Sequence, residues 1–284
     1  VGVSTYNALQ ATIQKRYANG LSFLATYTWA HAMDDSSPPL GGTLYRGVNL
    51  IGLLNDYTNS KADVRNRVTF NGYYALPFGQ GKRFLSHGGV LNAIVGGWTD
   101  DLQFTAQTGF PFSVGTDLGS AGPNGGGANA ILVRDPFAAG GSPDPTNPAI
   151  SCATSTRNKL HWYNPCAFAN PPLAFPNASI KGSPVSSNRI EGLATLPYLG
   201  GRFNMVHGPG FERINTSLFK NVTVYRENYI AFRADIFNVL NTPSLGNPST
   251  SNNATPGGQI TGPRFLQSFT PDARFIQLSA KFVF

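Results

Sequence analysis

The chain is short of charge, of cysteine and of any long oily run, and each shortage removes a class of protein. Of its 284 residues, 12% are Asp, Glu, Lys or Arg. That is about half the level of an ordinary soluble domain and disfavours a helical cytosolic enzyme. No stretch approaches the roughly eighteen consecutive apolar residues of a transmembrane helix. The 41% hydrophobic content is nevertheless too high for a disordered chain. The two cysteines, Cys152 and Cys166, are too few for a structural metal site needing three or four ligands. Lying close together in a Pro-rich polar segment, they suit a disulfide in an oxidising compartment.

Catalytic signatures are missing as well. His31, His87, His161 and His207 stand far apart without ligand spacing. There is no G-x-S-x-G elbow, H-E-x-x-H, C-x-x-C or P-loop. The sequence therefore implies no enzyme, no metal and no cofactor. Lys and Arg exceed Asp and Glu to give a net charge of +7, yet they are scattered singly, which argues against a nucleic-acid partner. The opening "VGVSTYNALQ" has no initiator Met and neither the basic nor the apolar region of a signal peptide, so a fragment or mature piece of a longer protein is expected.

What remains is rich in Gly (32), Pro (21), Phe (20) and Tyr (11). An oily membrane protein without membrane helices has one architecture left, the closed β-barrel. Period-two alternation supports it. In "NALQATIQKRY", Leu9, Ala11, Ile13 and Tyr17 share one face against Gln10, Thr12, Gln14 and Arg16. Asn19-Gly20 then marks a hairpin into "LSFLATYTWAH", with Leu21, Phe23, Ala25, Tyr27 and Trp29 on its apolar face. Similar strands are read in "NRVTFNGYYALPFG", "GWTDDLQFTAQTG", "FERINTSLFKN", "YIAFRADIFNVLN" and the terminal "RFIQLSAKFVF". Asp100 alone breaks the oily face of its strand, near the strand start, where an interfacial depth makes a carboxylate inexpensive.

About seven long strands result, and the connections between them alternate short and long. The long ones fall at approximately 34–65, 114–209 and 242–270. This is the asymmetry of an outer-membrane barrel, with short periplasmic turns and long extracellular loops. Tyr17, Tyr27, Trp29, Tyr74, Trp98 and Phe284 fall toward strand ends, as interfacial girdles do. The fold expected is all-β, an antiparallel transmembrane β-barrel segment in a bacterial outer membrane. The competing architecture is a soluble β-sandwich, whose strands average only five or six residues.

The segment "YNALQATIQKRYANGLSFLATYTWAHAMDDSS" resembles the late barrel strands of TonB-dependent outer-membrane receptors, in particular the long-looped, Oar-like group of acidobacteria. "DVRNRVTFNGYYALPFG", "GGWTDDLQFTAQTGFPFSV", "WYNPCAF", "GPGFERINTSLFKN", "FRADIFNVLNTPSLG" and "RFIQLSAKFVF" follow in the same order. The resemblance spans essentially the whole chain, 1–284. It implies energised uptake of a scarce solute through a barrel of about twenty-two strands, driven by TonB through a plug region. Neither plug nor TonB box is found in these residues, and seven strands make an incomplete barrel. It also implies that Phe282 and Phe284 form the C-terminal signal read by the barrel-assembly machinery.

Two groups of residues are candidates for function. Within the loop that Cys152 and Cys166 would close, Arg157, Lys159, His161, Trp162 and Tyr163 combine stacking surfaces with donors suited to a glycan, peptide, small solute or metal chelate, the alternative being a loop stapled only against proteolysis. On the polar face of the strands, Arg213, Asn215, Arg233 and Asp235 project together as a lumen cluster, either touching solute or packing against a plug. Two other functions fit the composition: a surface β-sandwich adhesin binding carbohydrate, and a passive porin.

Overall fold

A computed structural model describes residues 3–35, 57–85, 89–115, 129–145, 148, 150–170, 201–251, 257–263 and 273–284. Seven long strands form one antiparallel sheet. They are β1 (Ser4–Ala18), β2 (Leu21–Asp34), β4 (Asn66–Ala75), β5 (Thr99–Gln107), β10 (Phe211–Tyr225), β11 (Asn228–Phe237) and β12 (Phe275–Val283), in the order β1-β2-β4-β5-β10-β11-β12, with the short β3 (Thr58–Asn59) paired to β2. Every pairing in the sheet is antiparallel. The seven contain 9 to 15 residues each, enough to cross a hydrocarbon core at a tilt. The sheet is open, with β1 and β12 as its edges.

The register makes one face continuously oily. Ile13 pairs with Ala25, Ala25 with Phe70, Phe70 with Phe104, and Phe104 with Ile214. Two residues along, Leu102 pairs with Thr216, Thr216 with Ile236, and Ile236 with Ile276. Because paired residues share a face, the apolar sets of seven strands align into a single surface. That surface is bare: Leu9 is 63% and Leu278 77% exposed. A sandwich would bury it against a second sheet, and no such sheet covers it among the described residues.

The opposite face is a polar belt, with Thr12, Thr26, Thr69, Thr105 and Arg213 in register across five strands. Near its turn end, rings two strands apart converge: Tyr17 meets Tyr73 at 5.8 Å between centroids, and Tyr73 meets Phe219 at 6.0 Å. On the oily face, by contrast, Phe23 reaches only its neighbour strand, stacking on Phe70 at 5.8 Å. Side chains converge on the inside of a curved sheet, so the polar face is the concave one.

Two local features depart from simple alternation. The register shifts between Lys15 and Ala18, and this bulge turns Tyr17 onto the polar face beside Tyr73. Tyr17 therefore does not continue the Leu9, Ala11, Ile13 row. Gly72 occupies an oily-face position because the Phe70 ring lies over it; a Cβ there would stand 2.6 Å from that ring.

The ends of the sheet differ. At one end, tight turns follow β1 at Asn19-Gly20 and β10 at Arg226-Glu227. The third connection at this end, 76–98, is longer than a turn and carries a helix, α1 (Val90–Val95). It opens beside the first turn, since Ala75 at the end of β4 donates to the carbonyl of Gly20, and Leu76 donates to the carbonyl of Trp98 across its base.

At the other end the segment read as one featureless loop holds a folded cap. It contains β6 (Pro111–Phe112) paired with β9 (Val206–His207), β7 (Ile131–Leu132) paired with β8 (Phe168–Ala169), and a short 3-10 turn at Pro165–Ala167. Phe112, Val114, Ala130, Tyr163, Ala167, Phe168 and Val206 form its buried core. The hydrophobic centre that a soluble protein would build between its sheets is here built above one.

Candidate functional site

The cap is tied down at three places. Cys152 and Cys166 form a disulfide, Cα–Cα 5.2 Å. Beside it the fully buried Asn164 satisfies both ends of its amide: Nδ2 donates to the carbonyls of Ala138 and Gly140 at 2.8 Å, and Oδ1 accepts from the backbone of Ala153 and Cys166 at 3.1 Å. Tyr163 sits between Phe112 and Phe168, and its hydroxyl donates to the Ser249 carbonyl at 2.9 Å. Burial pushes its phenol far above the ordinary value, so it stays protonated and keeps donating.

The third tie is polar and joins the cap to the sheet. The Asp63 carboxylate is fully buried. It accepts from the Ala32 backbone at 2.7 Å and from Arg65 Nε at 2.8 Å, and faces His207 Nε2 at 3.5 Å. That last contact is long for a hydrogen bond and correspondingly weak. Asn59 and Asn204 exchange bonds, each side-chain amide donating to the other's backbone carbonyl, at 3.0 and 2.7 Å, and Thr58 donates to the carbonyl of Phe203 at 2.7 Å. Burial pushes the His207 imidazole below its ordinary value; Asp63 pulls the other way, while Arg65 and His31 add to the lowering.

Between cap and rim lies a cleft of about 780 Å³. Its floor is the loop ends of β4, β5 and β10. Val68, Ala106 and Glu212 belong to the side of the sheet that is oily lower down, and Gln107 and Phe211 to the polar side, so the cleft straddles the rim. Its roof is Phe137, Arg157 and Trp162. The Arg157 guanidinium lies 3.9 Å from the Phe137 ring centroid. Trp162 is fixed by its indole N–H on the His207 carbonyl and its backbone N–H on the Gly258 carbonyl, both at 2.8 Å. Arg65 and His207 extend the latch into the same cleft. The site thus offers three aromatic surfaces, two guanidiniums, an imidazole and one carboxylate.

The five loop residues read from sequence separate. Arg157 and Trp162 line the cleft; Lys159 is exposed and His161 half-buried, and neither lines it. Tyr163 has 0% exposure and is a core residue, out of reach of any ligand. The polar strand cluster also divides. Arg233 Nε grips both oxygens of Asp235 at 2.8 and 3.0 Å, and Ser217, opposite Asp235, donates to that carboxylate. Asn215 instead accepts from the backbone of Asn238 at 3.0 Å, and Arg213 lies opposite Thr105, nearer the loop end. Phe282 stands in the oily row opposite Ile230, its ring stacked with that of Phe284 at 6.0 Å.

Asp63, Arg65, Asn164 and His207 were not legible as a site. Asp63 and Arg65 sit in a generally polar stretch, and their partner His207 lies more than a hundred residues away. The isolated Asp100 has a partner on its own face: Thr216, on the adjacent strand, donates to its carboxylate.

A family model described as outer membrane beta barrel domain matches residues 1–277. Neither a curated protein nor a solved structure matches the chain.

Proposed function

The chain belongs to the outer membrane beta barrel domain family and resides in the bacterial outer membrane, and from that premise we propose that it forms the wall and solute-capturing end of a TonB-dependent receptor. The observation that carries this reading is the folded cap. A disulfide, a dry core and a buried polar latch hold Arg157 and Trp162 rigidly over a cleft at the rim. A merely solvating loop has no need of such order, whereas capture of a scarce solute gains affinity from a pre-formed site. Aromatic walls with a cationic edge suit a solute that is partly flat or apolar and carries negative charge.

On this reading the chemistry is binding and gating, with no bond made or broken. TonB acts through a plug region against the concave polar face, where the Arg233–Asp235–Ser217 set supplies contacts. Phe282 and Phe284, on the oily face beside the terminus, serve as the recognition signal for the barrel-assembly machinery.

The direct test is accumulation of labelled candidate solutes by cells with and without TonB. Uptake that requires TonB, and that falls about tenfold or more at low solute concentration when Trp162 and Arg157 are replaced by Ala, is expected. The continuous polar belt favours a second reading, a passive porin. TonB-independent uptake, together with solute flux through the protein in liposomes, would establish that reading and reject the receptor.

A further inference from the structure

The helix α1 at the turn end has no role in solute capture, and its composition is unusual for an exposed connection. From Gly89 to Gly97 the chain carries no charged residue. Val90, Leu91 and Ile94 are 79, 60 and 63% exposed, and Val95 is exposed beside them. Six residues are too few to hold a helix in water unaided, and four uncovered apolar side chains on one turn and a half would be a liability there.

The helix is instead fastened to the sheet, and the fastening shows on which side. Lys220 Nζ donates to the Ala93 carbonyl, and the same ammonium lies 5.9 Å from the Trp98 ring centroid. The Trp98 indole donates to the Ile94 carbonyl at 2.8 Å. Gly97 donates to the Phe78 carbonyl at 3.1 Å. Lys220 pairs with Phe232, which pairs with Ala280, so it belongs to the oily row of Leu218, Val222, Ile230 and Phe282. Its ammonium is not spent on lipid: covered to 8% exposure, it meets the Ala93 carbonyl in the last turn of α1, the end of a helix that attracts a cation. A lysine and a tryptophan on the oily face, at the turn end, hold an uncharged helix whose free side is apolar.

We infer that α1 is an interfacial helix, seated in the periplasmic leaflet and extending the lipid-facing band of the strands around the rim of the barrel. The occupant of its exposed face is phospholipid, at the boundary between headgroup and acyl chain, roughly 5–10 Å into the leaflet. Continuity supports lipid over a protein partner: the same row of residues that α1 docks against is the row that faces the bilayer along the strands. The inference rests on membership of the barrel family and is independent of what is transported.

The test places a bimane fluorophore at Leu91→Cys in the protein isolated from outer membranes, both native cysteines remaining disulfide-bonded, and reconstitutes it in phosphatidylcholine vesicles. Lipids brominated near the glycerol backbone should quench the fluorophore at least twofold more than lipids brominated near the bilayer centre. Leu278→Cys, on the oily face of β12, should be quenched by bromine within the acyl region, and Gln277→Cys should not. An unquenched label at Leu91 beside a quenched one at Leu278 overturns the inference and leaves the barrel intact, pointing to a protein partner. If Leu278 is also unquenched, barrel and inference fall together. A second variant, Asn92→Cys, guards against perturbation by the first label: Asn92 is half-buried, its side chain turned toward Gly79 and Gly96, so its quenching should be weaker than that of Leu91, and the reverse order contradicts the inference that the Leu91 side meets lipid.

Discussion

Tyr163 and Asp63 are both fully buried, yet one is held by packing and the other by charge, and their substitution should fail in different ways. Removing the Tyr163 hydroxyl takes one of two donors from the Ser249 carbonyl, which keeps the Gly258 backbone N–H. Tyr163→Phe should cost about 0.5–1.5 kcal/mol of cap stability, and Tyr163→Ala, which opens a cavity between Phe112 and Phe168, about 3–5 kcal/mol. Protease resistance of the 129–170 segment measures both. Equal effects of the two variants would contradict the packing role. Asp63→Ala deprives Arg65 of its carboxylate and the Ala32 backbone of its acceptor. The Arg65 charge left behind reaches the cleft and keeps its bond to Asn59, so the loss is that of the buried acceptor, about 1–3 kcal/mol, and the cap should loosen from the rim while its own core persists.

His207 makes that latch sensitive to pH in a defined direction. The folded cap lowers its affinity for a proton, chiefly by burial, against the pull of Asp63 and with Arg65 and His31 assisting. As pH falls below about 6.5, the ordinary histidine value, the released segment takes up the proton before the docked one does. Stability of the latch is therefore complete above that pH and declines below it. Hydrogen exchange of the amides at 57–63 and 204–207 should quicken from pH 7.5 to pH 5.5, after correction for intrinsic exchange. His207→Gln should remove the difference; a latch that tightens in acid would reverse the sign assigned here.

At the scale of elements, what was legible in the sequence and what was not divides by range. The oily rows of β1, β2, β5 and β12 follow a local period of two, so a strand announces its faces without reference to its neighbours. The exception, Tyr17, was lost to a bulge that the flanking Lys15 does not signal. The cap had no such periodicity. Its core draws Phe112, Ala130, Tyr163, Phe168 and Val206 from separate segments, one to three residues at a time. Only the cysteine spacing hints at order there, and Tyr163 reads as a ligand contact because its neighbours Arg157 and Trp162 are of the same character and do line the cleft.

That construction yields a test of the cap as a unit. Reducing the Cys152–Cys166 bridge frees a loop whose ends lie 14 residues apart, worth about 3 kcal/mol by chain entropy. The cap should become protease-sensitive while the strands stay resistant. Gly109 tests the hinge between them, since a Cβ there would stand 1.9 Å from the Gly208 carbonyl oxygen. Gly109→Val should separate β6 from β9 and abolish capture at the cleft, with membrane insertion unchanged.

For the molecule as a whole, the inversion of inside and outside decides everything else. The dry core lies in the cap, at one end, and the long sheet turns its oil outward and its polar belt into the concavity. This arrangement makes physical sense only if the outward face meets hydrocarbon. It accounts for the exposure of Leu9 and Leu278, for the covering of Lys220 and for the hydrogen-bonded Asp100 near one end of its strand.

The measurement that tests this most directly is a nitroxide scan along β5 and β12 in reconstituted bilayers, reading collision with oxygen against collision with a water-soluble nickel chelate. Labels at Leu102, Phe104, Ile276 and Leu278 should favour oxygen, and those at Gln103, Thr105, Gln277 and Ser279 should favour nickel, alternating residue by residue. Labels at both sets that are closed to oxygen and nickel alike, with Phe104 and Leu278 immobilised in a dry interior, would contradict the account.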